Sequence, residues 1–248
     1  MDKLSQAERF CWKFIQDNLA KIPDLTITEL SEAANVSTAT IVRTVQKQGY
    51  TGYTSFKQSI SNQTHIMKPF SHLEGEPALV KEAVLKNYWE VTHTINQLNV
   101  KDALKAAEAI AEADKIYIFA RGLSELLAEE VSIKLALLGK TCKKYTDPNL
   151  IKGIAQRARP EDVVLFLTLN GETKELVEAA KISKNLKSTN IVITTNRDSS
   201  IMQYQDIALI GFKSRNSFLP DYEVHSRLPL SILCRILVDI LAIKINDQ

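Results

Sequence analysis

The sequence predicts two domains of different class, an all-α domain followed by an α/β domain whose parallel sheet is covered by helices on both faces. Three observations predict this. Up to about residue 70 the apolar residues recur at helical spacing, with no alternating β-type run. From residue 116 onward, short continuous apolar runs alternate with helical stretches, the pattern of parallel strands buried on both faces. Between the two, Ser71-His72-Leu73-Glu74-Gly75-Glu76-Pro77 is weakly patterned and carries a glycine and a proline, as an interdomain linker does. The expected division is 1–70, a helical domain; 71–112, a linker and connecting helix; and 113–248, the α/β domain. A chain of 248 residues, 45% hydrophobic and 24% charged, can bury both cores.

Taken in order, the helical domain reads as Ser5–Ala20, Thr28–Ala34, Thr38–Gln48 and Ser55–Asn62. Two helix starts fall within twelve residues, and each has its own cap. Thr26 with Glu29 makes a capping box, and Ser37 caps the next helix. Asn35 between them tolerates the left-handed conformation of a tight turn. Ile27, Leu30, Ala34, Val36, Ile41, Val42 and Val45 then supply the wedge between two crossed helices, a helix-turn-helix pattern. With Ile41, Val42 and Val45 turned inward, Thr40, Arg43 and Lys47 face outward, flanked by Thr44. Such a face suits a DNA major groove: Arg43 for a base edge or phosphate, Ser37 and Thr38 for a phosphate at the helix N-terminus. Residues 1–70 hold eight cations against six anions, weak for a lone DNA binder, so two copies are expected to act together.

A long helical pattern follows from Pro77 to about Glu112. Strands are then expected at Ile116–Ala120, Val163–Leu169, Ile191–Thr195 and Ile207–Ile210, with helices at Ser124–Leu138 and Thr173–Leu186 between them. Ser226–Ile245 is a final helix too apolar to be a solvated tail. In Asp162-Val-Val-Leu-Phe-Leu-Thr168-Leu-Asn170-Gly171-Glu172-Thr173 a buried strand runs through a glycine turn into a helix. Its N–H groups make an anion nest, to which Thr168, Asn170 and Thr173 add donors. The turn lacks the lysine of a P-loop, which favours a sugar phosphate over a nucleoside triphosphate. A second turn, Arg121-Gly122-Leu123-Ser124, follows the first strand.

The capped pair TITELSEAANVSTATIVRTVQKQGYTGYTSFK, followed by FARGLSELLAEEVSIKLALLGK, TLNGETKELVEAAK and IVITTNRDSSIMQYQDIAL, resembles the RpiR family of bacterial transcriptional regulators over nearly the whole length. That resemblance implies an N-terminal helix-turn-helix domain joined to a sugar-isomerase (SIS) domain that senses phosphorylated sugars. It implies phosphate contacts from Ser124, Thr168, Asn170, Gly171 and Thr173, with Glu172 in the same turn, and sugar contacts from Asn149 and Glu223. Asn170 stands where the family pattern has a serine, and Ala120 where the first turn has a glycine.

The expected function is a DNA-binding regulator of sugar or amino-sugar metabolism, a homodimer or tetramer whose operator affinity follows a phosphorylated sugar. The alternative is a phosphosugar isomerase or lyase with Glu223 or His225 as base, against which Glu223 is expected to bond a sugar hydroxyl and His225 to cap the last helix. A third reading, a regulator that has lost its ligand, draws on Asn170. No catalytic residue, metal or cofactor is expected: Cys11, Cys142 and Cys234 are far apart, and the four histidines form no metal motif. Without a membrane span or a secretory leader, the expected compartment is the cytoplasm.

Overall fold

The computed structural model describes residues 4–18, 22, 25–48, 50–57, 70, 73–214, 218–219 and 225–246. The chain divides after Pro77 into two compact units. In the first, α1 (Gln6–Asp17), α2 (Ile27–Ala34) and α3 (Thr38–Lys47) are followed by helical residues 53–57. The rest of the helix expected over Ser55–Asn62 lies outside the described residues. Thr26 and Glu29 close the expected capping box, and Asn35 takes the left-handed conformation at φ 49°, ψ 46°. A second box, Ser5 with Glu8, opens α1. Cys11, Ile15, Ile22, Leu30, Ala34, Ile41, Val45, Tyr53 and Phe56 form the core. Tyr50, Tyr53 and Trp12 surround Phe56 with ring centroids 5.0–6.3 Å away. Of the expected wedge, Ile27 and Val36 are only partly buried against this core, and Val42, expected to turn inward, is only partly buried and is not part of it.

Glu8 also joins α1 to α3, since the Lys47 ammonium lies 3.0 Å from its carboxylate. The Ser5 backbone N–H and Lys47 together hold the Glu8 carboxyl at a pKa of about 2. A depressed carboxyl pKa stabilises the fold above the ordinary value, and that stabilisation is lost as pH falls from about 4.3 toward 2. Glu8→Gln keeps the capping-box geometry and removes the charge. It is therefore expected to lower the melting temperature of this unit at pH 7 and to match the parent near pH 2. In a Trp89→Phe background, where Trp12 is the remaining tryptophan, fluorescence melts across pH measure this, and a pH-independent gap would refute it.

In the second unit, α4 (Ala78–Asn96) and α5 (Val100–Glu112) precede β1 (Ile116–Ala120), α6 (Ser124–Leu137), β2 (Cys142–Tyr145) and α7 (Pro148–Ala155). They are followed by β3 (Val163–Leu167), α8 (Lys174–Asn185), β4 (Thr189–Thr194), a 3-10 turn (Ser200–Tyr204), β5 (Ile207–Ile210) and α9 (Leu228–Asn246). The single long helix expected over Pro77–Glu112 is broken. Asn99 caps α5 by accepting from the Lys101 N–H, which starts a second helix, and both helices belong to the second unit.

The sheet is parallel throughout, in the order β2-β1-β3-β4-β5. Alternate residues divide its strands between two cores. Ile116, Ile118, Val163, Leu165, Ile191 and Ile193 join residues of α5, α6 and α9. Tyr117, Phe119, Val164, Phe166 and Val192 join those of α7, α8 and the 3-10 turn. This bears out a sheet covered on both faces. The chain leaves β1 toward β2 and returns to the other side of β1 for β3, so the carboxyl ends of β1 and β3 flank a topological switch point, where open α/β sheets bind ligands.

Candidate functional site

Both turns singled out in the sequence open at that switch point: α6 begins at Ser124 and α8 follows Thr173. The β3 turn is held in advance. The Leu169 carbonyl accepts from the Thr195 N–H at 3.0 Å and from the hydroxyls of Thr194 and Thr195 at 3.0 and 2.8 Å. The Asn196 amide donates to the Asn170 carbonyl at 3.2 Å. Gly171 adopts φ +71°, and its N–H donates to the Thr168 hydroxyl oxygen at 3.2 Å. Thr168 itself is buried, and that contact does not use its O–H proton. Thr173 caps α8 without using its side chain, so its hydroxyl is spared as well. Preorganised donors at a helix N-terminus, where the macrodipole favours negative charge, are suited to an anion.

The other expected ligand residues fall as follows. Ser124 is buried, and its oxygen accepts from Arg227 Nε at 3.2 Å. The Arg227 guanidinium also donates to the His225 carbonyl at 2.8 Å, and burial lowers its pKa. Asn170 is exposed, and its side-chain oxygen accepts from Lys213 Nζ at 2.8 Å. The Glu172 carboxylate instead accepts from the Ser200 N–H and hydroxyl at 2.9 and 2.6 Å, which depress its pKa and tie the turn to the 3-10 segment. Asn149 is exposed in the first turn of α7, past the end of β2, where Asp147 caps its N–H. Glu223 lies outside the described residues. The expected cap of the last helix is corrected: Ser226, not His225, accepts from the Leu228 N–H.

Two cations that the sequence left unassigned thus reach the switch point, Lys213 from the segment after β5 and Arg227 from just before α9. Each lies more than forty residues from the turn it contacts, and no local motif marks either. Neither forms an ion pair among the described residues. Among the described residues no group of three or more His, Cys, Asp or Glu side chains is placed to hold a metal ion. No helix there is long and apolar enough to cross a membrane.

In the first unit Ser37, Thr38 and Arg43 are exposed on α3. Thr40 is half-exposed, with its hydroxyl 2.9 Å from that of Ser37. Thr44 is a correction: it is fully buried, and its hydroxyl donates to the Thr40 carbonyl at 2.8 Å. One 100° step past Arg43 carries it into the core. Lys47 is committed to Glu8. Gln46, absent from the expected face, is exposed three residues beyond Arg43, and with Ala39 these make the outward stripe of α3.

The helix-turn-helix domain of the rpiR family matches residues 1–65, and the SIS domain matches residues 109–225. An uncharacterized HTH-type transcriptional regulator of Caldanaerobacter subterraneus subsp. tengcongensis is 29% identical over 79% of this chain and 72% of its own. The HTH-type regulator YbbH of Bacillus subtilis is 24% identical over 91% and 82%. Among solved structures, Vibrio vulnificus NanR, in complex with ManNAc-6P, aligns with a TM-score of 0.62 at 20% identity over 98% of this chain and 90% of NanR. The sugar-isomerase domain of an RpiR transcription factor from Sphaerobacter thermophilus gives 0.63 at 17% identity over 69% and 93%. These two share the fold. Relatives named as transcriptional regulators, together with the helix-turn-helix unit, make the role regulatory rather than enzymatic. With an N-terminal domain of the rpiR type and a SIS domain in this order, the chain belongs to the RpiR family of helix-turn-helix transcriptional regulators.

Proposed function

We propose that this regulator binds operator DNA through α3 and that a phosphorylated sugar, seated between the turns after β1 and β3, sets its operator affinity. The observation that carries the reading is the β3 turn: a glycine-dependent nest, with Thr168 bonded to the Gly171 N–H and the Thr173 hydroxyl not spent on the cap, leading into the α8 N-terminus at the switch point. The ligand chemistry is supported by NanR, which has the same fold and was solved with ManNAc-6P. The sugar itself would meet Asn149 and Glu223. On the DNA side, Arg43 and the α3 N-terminus with Ser37 and Thr38 make the contacts, and the regulator acts as a homodimer. The dimer brings two recognition helices to two half-sites, which offsets the modest charge of one unit.

One experiment with two arms tests this. An operator is selected from random DNA, and its affinity is measured at fixed salt with and without ManNAc-6P or inorganic phosphate. Arg43→Ala is expected to weaken operator binding by about 1–3 kcal/mol if Arg43 reads a base edge. Thr173→Val, nearly isosteric, is expected to lose ligand binding and the response to it. The ligand should shift operator affinity by about 1–3 kcal/mol, and operator should shift ligand affinity by the same factor. A Thr173→Val protein that keeps wild-type ligand affinity would move the phosphate elsewhere. Operator affinity untouched in Arg43→Ala would remove that residue from the interface.

A further inference from the structure

We propose that Lys213 is the cation that receives the ligand's phosphate, and that the clamp holding Lys213 carries the site's occupancy to α4, the helix that follows the DNA-binding unit in the sequence. The proposal rests on the reading of the switch point as a phosphate site. Lys213 reaches the β3 turn across 43 residues of sequence and spends its ammonium on a neutral oxygen, Asn170 Oδ1, at 2.8 Å. No carboxylate lies within ion-pair distance of it among the described residues. The one carboxylate in the turn, Glu172, is turned to Ser200. A lysine can only donate, so its contact fixes the orientation of the Asn170 amide: the oxygen meets Lys213, and the NH2 group faces away. Asn170 is thus the keeper of a lysine at this turn. A phosphate monoester in the nest is a stronger partner for an ammonium than an amide oxygen is, because both members of that pair are charged.

The segment that presents Lys213 is held by α4. The Phe212 N–H donates to the buried Thr94 hydroxyl at 3.0 Å, and the Ser214 N–H donates to Glu90 Oε1 at 3.1 Å. Just past α4, the Gln97 amide donates to the Ile210 carbonyl at 3.1 Å. Both residues flanking Lys213 therefore hang from one helix, whose first residue, Ala78, directly follows the division between the two units. Glu90 is fully buried, and its second oxygen, Oε2, has no hydrogen-bond partner among the described residues. A buried carboxylate left half satisfied raises the free energy of the arrangement in which it sits. The clamp is thus poised to shift when Lys213 leaves Asn170 for a phosphate, and the shift is delivered to α4.

The test is calorimetric titration of the whole chain with inorganic phosphate and with ManNAc-6P, using Lys213→Met, Lys213→Arg and Thr173→Val, together with amide hydrogen exchange at 212 and 214. Lys213→Met is expected to weaken phosphate binding about tenfold or more, the scale of one charge-assisted hydrogen bond, while Lys213→Arg retains most of it. Saturating phosphate should change the exchange rates of the Phe212 and Ser214 amides in the parent, as the bonds that hold them to α4 shift, and leave them unchanged in Lys213→Met. If Thr173→Val loses binding and Lys213→Met does not, the inference about Lys213 falls and the phosphate site stands. If neither variant loses affinity, or if the parent binds neither probe, the phosphate site falls with it. Unchanged exchange in a saturated parent would overturn the coupling through α4.

Discussion

Gly171→Ala is expected to cost about 2–5 kcal/mol of stability in the sheet-bearing unit and to abolish ligand binding, the larger of the two glycine effects available at the switch point. Two independent penalties meet there. The φ of +71° costs a residue with a Cβ about 1–2 kcal/mol. An added Cβ would also overlap the Ser199 hydroxyl and stand 2.6 Å from Ser199 Cβ and 3.1 Å from Ile201 Cγ2, an overpacking worth about 1–3 kcal/mol. Ser199 cannot step aside freely, because its hydroxyl donates to the Asn196 carbonyl at 2.9 Å, and Asn196 in turn supports Asn170. Gly122→Ala in the β1 turn is the control. Its φ is +60° but open space surrounds the missing Cβ, so the backbone penalty alone applies. Urea unfolding of both variants checks the order, and equal losses would show that the turn has room to relax.

That the turn after β3 would be a rigid nest was legible in the sequence, since a continuous apolar run ending in Leu-Asn-Gly before a helical pattern admits few other geometries. The helix-turn-helix was legible for a similar reason: Thr26 with Glu29, Asn35 and Ser37 are local signals, and the hydrogen bonds that satisfy them span at most five residues. What escaped was set by distance or by edges. β2 reads Cys-Lys-Lys-Tyr, a short strand at the sheet edge whose lysines lie outside any apolar run, and Lys144 is met by Glu129 of α6. Lys213 and Arg227 meet the two candidate turns through tertiary contacts alone, from segments whose composition marks nothing. Thr44 was misplaced because a threonine beside an outward arginine reads as polar surface. Its hydroxyl is satisfied within the helix by the Thr40 carbonyl, which lets it lie in the core.

Replacing Leu126 and Leu137 together by glutamate is expected to convert the proposed homodimer to a monomer. α6 carries apolar residues on both sides, the outer ones flanked by Glu129, Glu130 and Lys134. Ser124, Ala128, Val131 and Leu135 face the sheet and are buried, whereas Leu126, Ile133 and Leu137 on the other side are 73%, 52% and 81% exposed. Exposure of that extent along three turns of one helix is uncommon on a monomer's surface and fits the homodimer proposed above. In a two-fold interface each substituted leucine counts twice. At about 1.5 kcal/mol or more for each buried leucine lost, the pair amounts to roughly 6 kcal/mol, on the order of 10⁴-fold in the dimer dissociation constant. Operator affinity should fall with it, because a monomer engages a single half-site, while affinity for phosphate should hold, since these side chains project from the face of α6 opposite its sheet contacts. Light scattering coupled to gel filtration reads the mass directly. A double variant that still elutes at twice the chain mass would place the dimer contact on another surface and leave the apolar face of α6 without a second copy to cover it.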